Sequence, residues 1–378
     1  MKNLLFKICS YTGLGLLFLL SCSSNSQDSL SNQLQNVLDS EINRHKVKGV
    51  SASIVFPDSS IWNGVSGISH DTVSIKPDML FAIGSITKNF VATLTLKLVE
   101  EGKLSINDPV SKWLPPYNFV DSTIIIRQLL NHTSGIYMFW SNQQIWDDLK
   151  KDRTKVWRPD EVLSYIKEPY FSPGKGFRYS NTNYLLLAMI IEKISGSTLS
   201  SEFKKYFWQP LNIKNAYLSI QEDIPNNRAH VFGDNFNDDG SNNDLTFLPR
   251  ESHESITFGS AGLFMTSRDL AYWCQALFEG KILSEQSISE MLKFIPTGSG
   301  GNMDGYGLGV QRYRKQVTNG QIAYGHSGAN IGTSAYLLYL PDYNISIAIL
   351  INDMNHDCTE TIVRNIVNIL VKNMKKIE

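Results

Sequence analysis

Two pairs of short apolar runs, one near each end of the 378-residue chain, constrain the fold more than any other feature. Residues 50–56 and 61–65 read as strands joined by Pro57-Asp58-Ser59-Ser60. Residues 336–340 and 345–351 read the same way around Pro341-Asp342-Tyr343-Asn344. Proline presets φ, and Asp, Asn and Ser side chains close local turns, so each pair is predicted as a hairpin. Between the hairpins the pattern turns helical, with predicted helices at 85–101, 124–131, 183–194 and 270–278. Gly102, Gly196 and Gly280 follow three of them as stop signals. Further amphipathic helices are predicted at 30–44 and 359–372. Hairpins at both ends suggest one antiparallel sheet assembled from both, with the middle inserted as a helical lobe. The expected fold class is α+β, an α/β lobe (29–80 and 300–378) beside an all-α lobe (81–299). A cleft is expected where such lobes meet.

Composition excludes several function classes. Hydrophobic residues make up 42% and charged residues 19%, which is globular rather than disordered. The formal charge is −1, and no Lys/Arg run reaches four residues, so nucleic acid is not an expected partner. The first 22 residues stand apart. Lys2 and Lys7 precede an apolar run from 14 to 20, too short to span a bilayer of about 30 Å. The run ends in Leu19-Leu20-Ser21-Cys22, and the Leu-x-small-Cys pattern resembles a bacterial lipoprotein signal. The expectation is a signal peptide at 1–21, lipidation at Cys22, a polar tether at 22–28 and a catalytic domain at 29–378. Several acyl chains would anchor the chain stably in a membrane, facing the periplasm or cell surface. Removing the signal takes Lys2 and Lys7 and no acid, moving the charge from −1 to −3.

Three short segments carry residue types suited to acyl transfer. Ser85-Ile86-Thr87-Lys88 opens a predicted helix, and positions three apart share a helix face. A serine hydroxyl needs a base, and a desolvated, neutral lysine can be that base. The helix N-terminus adds unpaired N–H groups near Ser85. Tyr179-Ser180-Asn181 follows a Pro-Gly loop. A tyrosine near a lysine can be partly phenolate and shuttle a proton, while an asparagine can hold an amide. Gly325-His326-Ser327-Gly328-Ala329 is a small-residue edge along which a substrate backbone could lie, with a backbone N–H for an oxyanion.

Singly these segments are commonplace. In this order, Ser-x-x-Lys, Tyr-x-Asn and His-Ser-Gly, the chain resembles the penicillin-recognising serine hydrolases, in the branch holding class C β-lactamases, D-alanyl-D-alanine carboxypeptidases and related esterases. Residues 124–135, ending Leu129-Leu130-Asn131-His132-Thr133-Ser134-Gly135, and Gly259-Ser260-Ala261-Gly262-Leu263 resemble that branch too. The resemblance implies a β-lactamase/transpeptidase-like fold and an acyl-enzyme mechanism without cofactor or metal. It implies Ser85 as nucleophile, Lys88 as base or relay, Tyr179 as proton carrier and Asn181 as a substrate holder. His326, Ser327 and Gly328 would bind the carboxylate or leaving-group side. The N–H groups of Ser85 and Ala329 would form the oxyanion hole.

The third motif departs from the class C Lys-Thr-Gly. A histidine of ordinary pKa near 6.5 offers only a conditional positive charge, so efficient β-lactamase action is the lesser expectation. A D-Ala-D-Ala carboxypeptidase, D-amino-acid peptidase or esterase is the leading one. The substrate partner is a small molecule or peptide: a peptidoglycan-like peptide, an ester or a β-lactam. Oligomeric state is not legible. A non-catalytic sensor or surface protein is the alternative of a different class, disfavoured because Ser85, Lys88 and Tyr179 are all present. Gly325-His326-Ser327-Gly328-Ala329 also nearly matches a Gly-x-Ser-x-Gly elbow, but a strand rather than a helix is predicted next.

The other residues take plain structural readings. His132 is expected to be a loop residue bonding backbone. Cys274 is expected to be buried, and its pairing with Cys358 is left open. The Asn/Asp-rich stretch 233–244 lacks the closing Glu of a calcium loop and reads as surface.

Overall fold

A computed structural model describes residues 15–234 and 240–375, with side chains from residue 29 onward. The basic start of the expected signal, the Cys22 side chain and part of the Asn/Asp-rich stretch fall outside the described residues. Helix α1 spans Gly15–His45, so the helix expected at 30–44 continues back through the segment expected as a tether. Once a helix is nucleated by its packed turns, each added residue gains a hydrogen bond at little further cost.

Among the described residues the main sheet has nine antiparallel strands. They are β1 Gly49–Val55, β2 Ile61–His70 and β3 Val73–Ser74 from the N-terminal side. From the C-terminal side come β4 Ile295–Pro296, β5 Met303–Tyr306, β6 Gln311–Tyr313, β7 Tyr324–Asn330, β8 Thr333–Leu340 and β9 Ile345–Ile351. The spatial order is β3-β2-β1-β9-β8-β7-β6-β5-β4, so the two ends of the chain join where β1 meets β9. That pair aligns Val50 with Ile351, Ala52 with Ile349 and Ile54 with Ile347.

Alternation along the strands gives the sheet two buried faces. On one face, Val50, Ala52, Ile54, Ile347 and Ile349 meet Leu34, Leu38 and Ile42 of α1. Ile362, Ile366 and Leu370 of the last helix, α5 (Thr359–Asn373), complete that layer. The other face is covered by α4 (Ser267–Phe278). Small side chains on β1 let this helix approach: the Ser51 and Ser53 hydroxyls both sit 2.8 Å from Ser267 Oγ. Cys274 of α4 and Cys358 are free, buried thiols, and burial pushes the Cys274 pKa up to about 12.

The inserted lobe is organised around α2 (Thr87–Glu100) and α3 (Asn181–Ser195). Helix α2 is buried almost all round, polar residues included. Phe90 stacks on Trp273 of α4 at 4.1 Å between ring centroids, and Trp273 Nε1 donates to Asn89 Oδ1 at 2.8 Å. Thr93 and Thr95 satisfy their hydroxyls on backbone carbonyls one turn back. Among the described residues, no helix is long and apolar enough to cross a membrane.

The Gly-rich segment 325–329, met in the sequence as a small-residue edge, is the body of strand β7 and forms a hairpin with β8. β7 is only partly flanked on its other side: β6 pairs with Tyr324 and Gly325 alone. The remaining edge, from Ser327 onward, lies against the turn that carries Ser85.

Trp273 ties α4, and through it the sheet, to α2. Trp273→Ala is expected to cost about 3–5 kcal/mol, read as a lower denaturant midpoint at an unchanged slope.

Candidate active site

Ser85 sits on a 3-10 turn, Gly84–Ile86, that leads directly into α2. Gly84 holds φ +52, in the left-handed region, and a Cβ there would stand 2.3 Å from the Ala329 carbonyl oxygen. Facing it, a Cβ on Gly328 would stand 2.1 Å from the Ile83 carbonyl oxygen and 3.0 Å from the Ser85 nitrogen. The turn and β7 therefore touch backbone to backbone, which only glycine permits. This contact brings the Ser85 and Ala329 segments to one place.

Lys88 lies one turn into the buried stretch and is wholly inaccessible to solvent. Its Nζ is 2.9 Å from Ser85 Oγ and donates to the Ser260 carbonyl at 2.7 Å. That carbonyl is presented by the tight 259–262 turn, where Gly259 and Gly262 both have positive φ. Burial alone pushes the Lys88 pKa well below the ordinary lysine range. The amine rests on the ring faces of Tyr179 and Tyr184, at 4.9 and 5.7 Å from their centroids.

Tyr179 directs a buried hydroxyl toward Ser85. The approach falls short of hydrogen-bond geometry, yet the serine partly opposes the upward push that burial gives the phenol pKa. Burial wins, so the resting group is a neutral phenol. The sequence-level expectation of a partial phenolate is thereby corrected. Its physical reason is that desolvation penalises the anion, while the Lys88 amine stands 4.9 Å from the ring centroid. Asn181 begins α3, and its Oδ1 is buried without a hydrogen-bond partner among the described residues.

His326 departs furthest from expectation. It was read as a conditional cation for a substrate carboxylate. In the structure it is fully buried beneath β7, and Ser327, Gly328 and Ala329, not His326, line the cleft. Its Nδ1–H donates to the Ser327 carbonyl at 2.6 Å, and Nε2 accepts from the Tyr306 hydroxyl at 2.9 Å. Burial first, and the nearby Lys88 second, push its pKa down to about 3. Strand alternation is the cause: one residue along, Ser327 faces outward and His326 inward.

His132 also lies beneath the site, in the left-handed region at φ +60. Its Nδ1 accepts from the Ser180 N–H at 3.2 Å and from Asn183 Nδ2 at 3.0 Å, in keeping with a structural loop residue. It thereby fixes the backbone between Tyr179 and Asn181. Its pKa is also pushed well down by burial, then by Lys88 and His326.

The cleft in front of Ser85 has a volume of about 380 Å³ and is lined also by Tyr179, Gln311, Ser327, Tyr336 and Asp357. Gln311 Oε1 accepts from both the Ser327 N–H and its hydroxyl, at 3.0 and 3.1 Å. Asn302 Nδ2 donates to Ser327 Oγ at 3.1 Å and to the Tyr336 hydroxyl at 2.8 Å. Sequence reasoning missed Tyr306, Gln311, Asn302 and Asp357, and nothing local to them signals a role. Ser260 lay in a stretch already singled out, though its contribution is a carbonyl and not a side chain. No cluster of His, Cys, Asp or Glu suited to a metal ion occurs among the described residues.

The chain and its fold have counterparts among known proteins. Penicillin-binding protein 4* of Bacillus subtilis (strain 168) is 29% identical over 288 residues, covering 74% of this chain and 62% of that one. The chain thus spans less than two thirds of the length of the curated relatives it matches. A D-stereospecific amidohydrolase from Streptomyces sp. superposes with a TM-score of 0.76 at 28% identity, covering 88% of this chain and 97% of that one. The D-amino acid amidase from Ochrobactrum anthropi SV3 shares the fold, with a TM-score of 0.80 at 24% identity, covering 91% and 99%. A family model described as Beta-lactamase matches residues 34–367, a span that includes all three motif-bearing segments. The chain belongs to the Beta-lactamase family.

Proposed function

We propose that this protein is a serine hydrolase that cleaves an amide or ester of a D-amino acid through an acyl-enzyme on Ser85. The observation that carries the reading is the Lys88 amine, fully buried, 2.9 Å from Ser85 Oγ and anchored by the Ser260 carbonyl at 2.7 Å. A neutral amine donates one N–H to that carbonyl and turns its lone pair to the serine hydroxyl. Lys88 then takes the Ser85 proton as Oγ attacks the substrate carbonyl. The oxyanion that develops is received by the N–H groups of Ser85 and Ala329. As the intermediate collapses, the Tyr179 phenol protonates the leaving group and regains a proton from Lys88. Water then releases the acyl group by the same steps in reverse. Asn181 Oδ1, unpartnered in the free protein, suits an N–H of the substrate.

The D-amino-acid side of the proposal is supported by the likeness to the Streptomyces D-stereospecific amidohydrolase. A β-lactamase is the weaker reading, because the expected carboxylate anchor, His326, is buried and neutral. We also propose export as a lipoprotein anchored through Cys22, supported by the N-terminal sequence pattern. Cys22→Ser is then expected to move the protein from the membrane to the soluble fraction of cells.

Intact-mass spectrometry after a fluorophosphonate, a penicillin and a D-alanyl ester tests the chemistry. Ser85→Ala is expected to abolish every adduct and to lower turnover by at least about a thousandfold. An adduct retained in that variant sinks the assignment of the nucleophile. Gly84→Ala is expected to lower kcat by about a hundredfold, because the new Cβ separates the two oxyanion donors.

The pH dependence has a definite sign. The active form needs Lys88 neutral, so kcat/KM rises with pH through a lysine pKa well below the ordinary one. Between pH 5 and 8 no limb belongs to His326, whose pKa is about 3. A lysine that is neutral when folded and charged when unfolded makes stability rise with pH up to its unfolded pKa, about 10.4. Lys88→Met is accordingly expected to be inactive, more stable at pH 7, and less dependent on pH in chemical denaturation.

A further inference from the structure

Among the described residues that line the Ser85 cleft, one side chain is charged, and it is an acid. Asp357 is exposed and lines the same 380 Å³ space as Ser85, Tyr179 and Ser327. None of the described residues lining that space is a lysine or an arginine.

The carboxylate is built into position. Its Oδ1 accepts from the Thr359 N–H at 2.8 Å and from the Thr359 hydroxyl at 2.6 Å. Its Oδ2 accepts from the Ser334 hydroxyl at 2.9 Å. A carboxylate has about four acceptor positions, so roughly one remains free to meet a ligand. None of the three donors is charged. Among the described residues, no Lys, Arg or His forms an ion pair with Asp357, whereas neighbouring Glu360 is paired with Arg364 at 3.0 Å. The N-terminus of α5 offsets only about half a unit of the charge. The remaining negative potential reaches into the cleft: Asp357 is among the groups that push up the pKa of Tyr336, behind burial and Glu360.

We infer that Asp357 is a specificity-determining residue that selects substrates with a cationic group, such as the free ammonium of an unblocked D-amino acid derivative, and repels anionic ones. The inference rests on the serine-hydrolase reading above. It narrows that reading to D-amino acid amides and esters with a free amine, and it sets the cleft against ligands whose recognition depends on a carboxylate. A partly exposed carboxylate is worth only a modest factor, since water and salt screen it.

The test uses three 4-nitrobenzyl esters of D-alanine: with a free amine, N-acetylated, and N-succinylated. Ratios of kcat/KM within one variant cancel any change in the amount of competent enzyme, and fluorophosphonate labelling of Ser85 counts that amount. The expected wild-type result is about a fivefold preference for the free amine over the acetylated ester, with the succinylated ester poorest. The preference should shrink in 0.5 M salt. Asp357→Asn keeps an acceptor for Thr359 and is expected to bring the ratio to about one. Asp357→Lys is expected to favour the succinylated ester. A wild-type enzyme blind to the amine, or an Asp357→Asn enzyme that keeps the preference, overturns the inference while the hydrolase reading stands. Failure to turn over any of the three, with no Ser85 adduct, overturns the hydrolase reading and this inference with it.

Discussion

The Ser85 turn and β7 come so close that no Cβ can stand between them, and glycine makes this possible from both sides, at Gly84 and at Gly328. Each would place a Cβ within 2.3 Å of a carbonyl oxygen on the opposite segment. The arrangement of everything else in the cleft follows from this contact. It sets the Ser85 turn against an open strand edge, so backbone N–H groups from distant parts of the chain converge. The helix that begins there must then run into the interior, which carries Lys88 out of water.

Beneath the cleft lies a layer of polar side chains held in their neutral forms by desolvation. Lys88, His132 and His326 are each pushed toward the uncharged base, and Tyr179, Tyr184 and Tyr306 toward the uncharged phenol. Burial is the largest cause in every case. Such a layer is costly for folding, since each group gives up hydration that the unfolded chain enjoys. What it provides is a set of donors and acceptors already oriented around Ser85, which need little further reorganisation. The fixed hydrogen bonds of His326 to Ser327 and Tyr306 also hold the ring tautomer, so its effect is to stiffen the strand bearing Ser327 and Ala329.

Much of this was legible in the chain, for identifiable reasons. Ser85 and Lys88 share a helix face by spacing alone, and the hairpins announced themselves through Pro-Asp turns between apolar runs. The Gly-rich strand was harder, because glycine and alanine have little intrinsic preference for a strand, and β8 and the Ser85 turn impose the conformation. His326 was misjudged for a different reason. Its place in a motif was readable, but whether it faced cleft or core depended on strand register, which the sequence does not display when both faces are buried. Asp357 was invisible: it follows the last strand in a polar loop, and only folding brings it into the cleft that Ser85 lines. Tyr179 was legible as part of a motif, but its burial was not, since spacing cannot report how far a phenol is removed from water.

The pairing of β1 with β9 has a consequence for the order of events in a cell. Ser85 and Lys88 are made early, but the strand opposing them, and the central strand that seats β1, emerge near the end of synthesis. Until β7 to β9 arrive, the Ser85 turn has no partner edge and the α4 face of the sheet is incomplete. In a chain still being synthesised the cleft around Ser85 is therefore incomplete, and it is closed only when the last strands are threaded into place. Contacts this distant in sequence also make for slow, late folding.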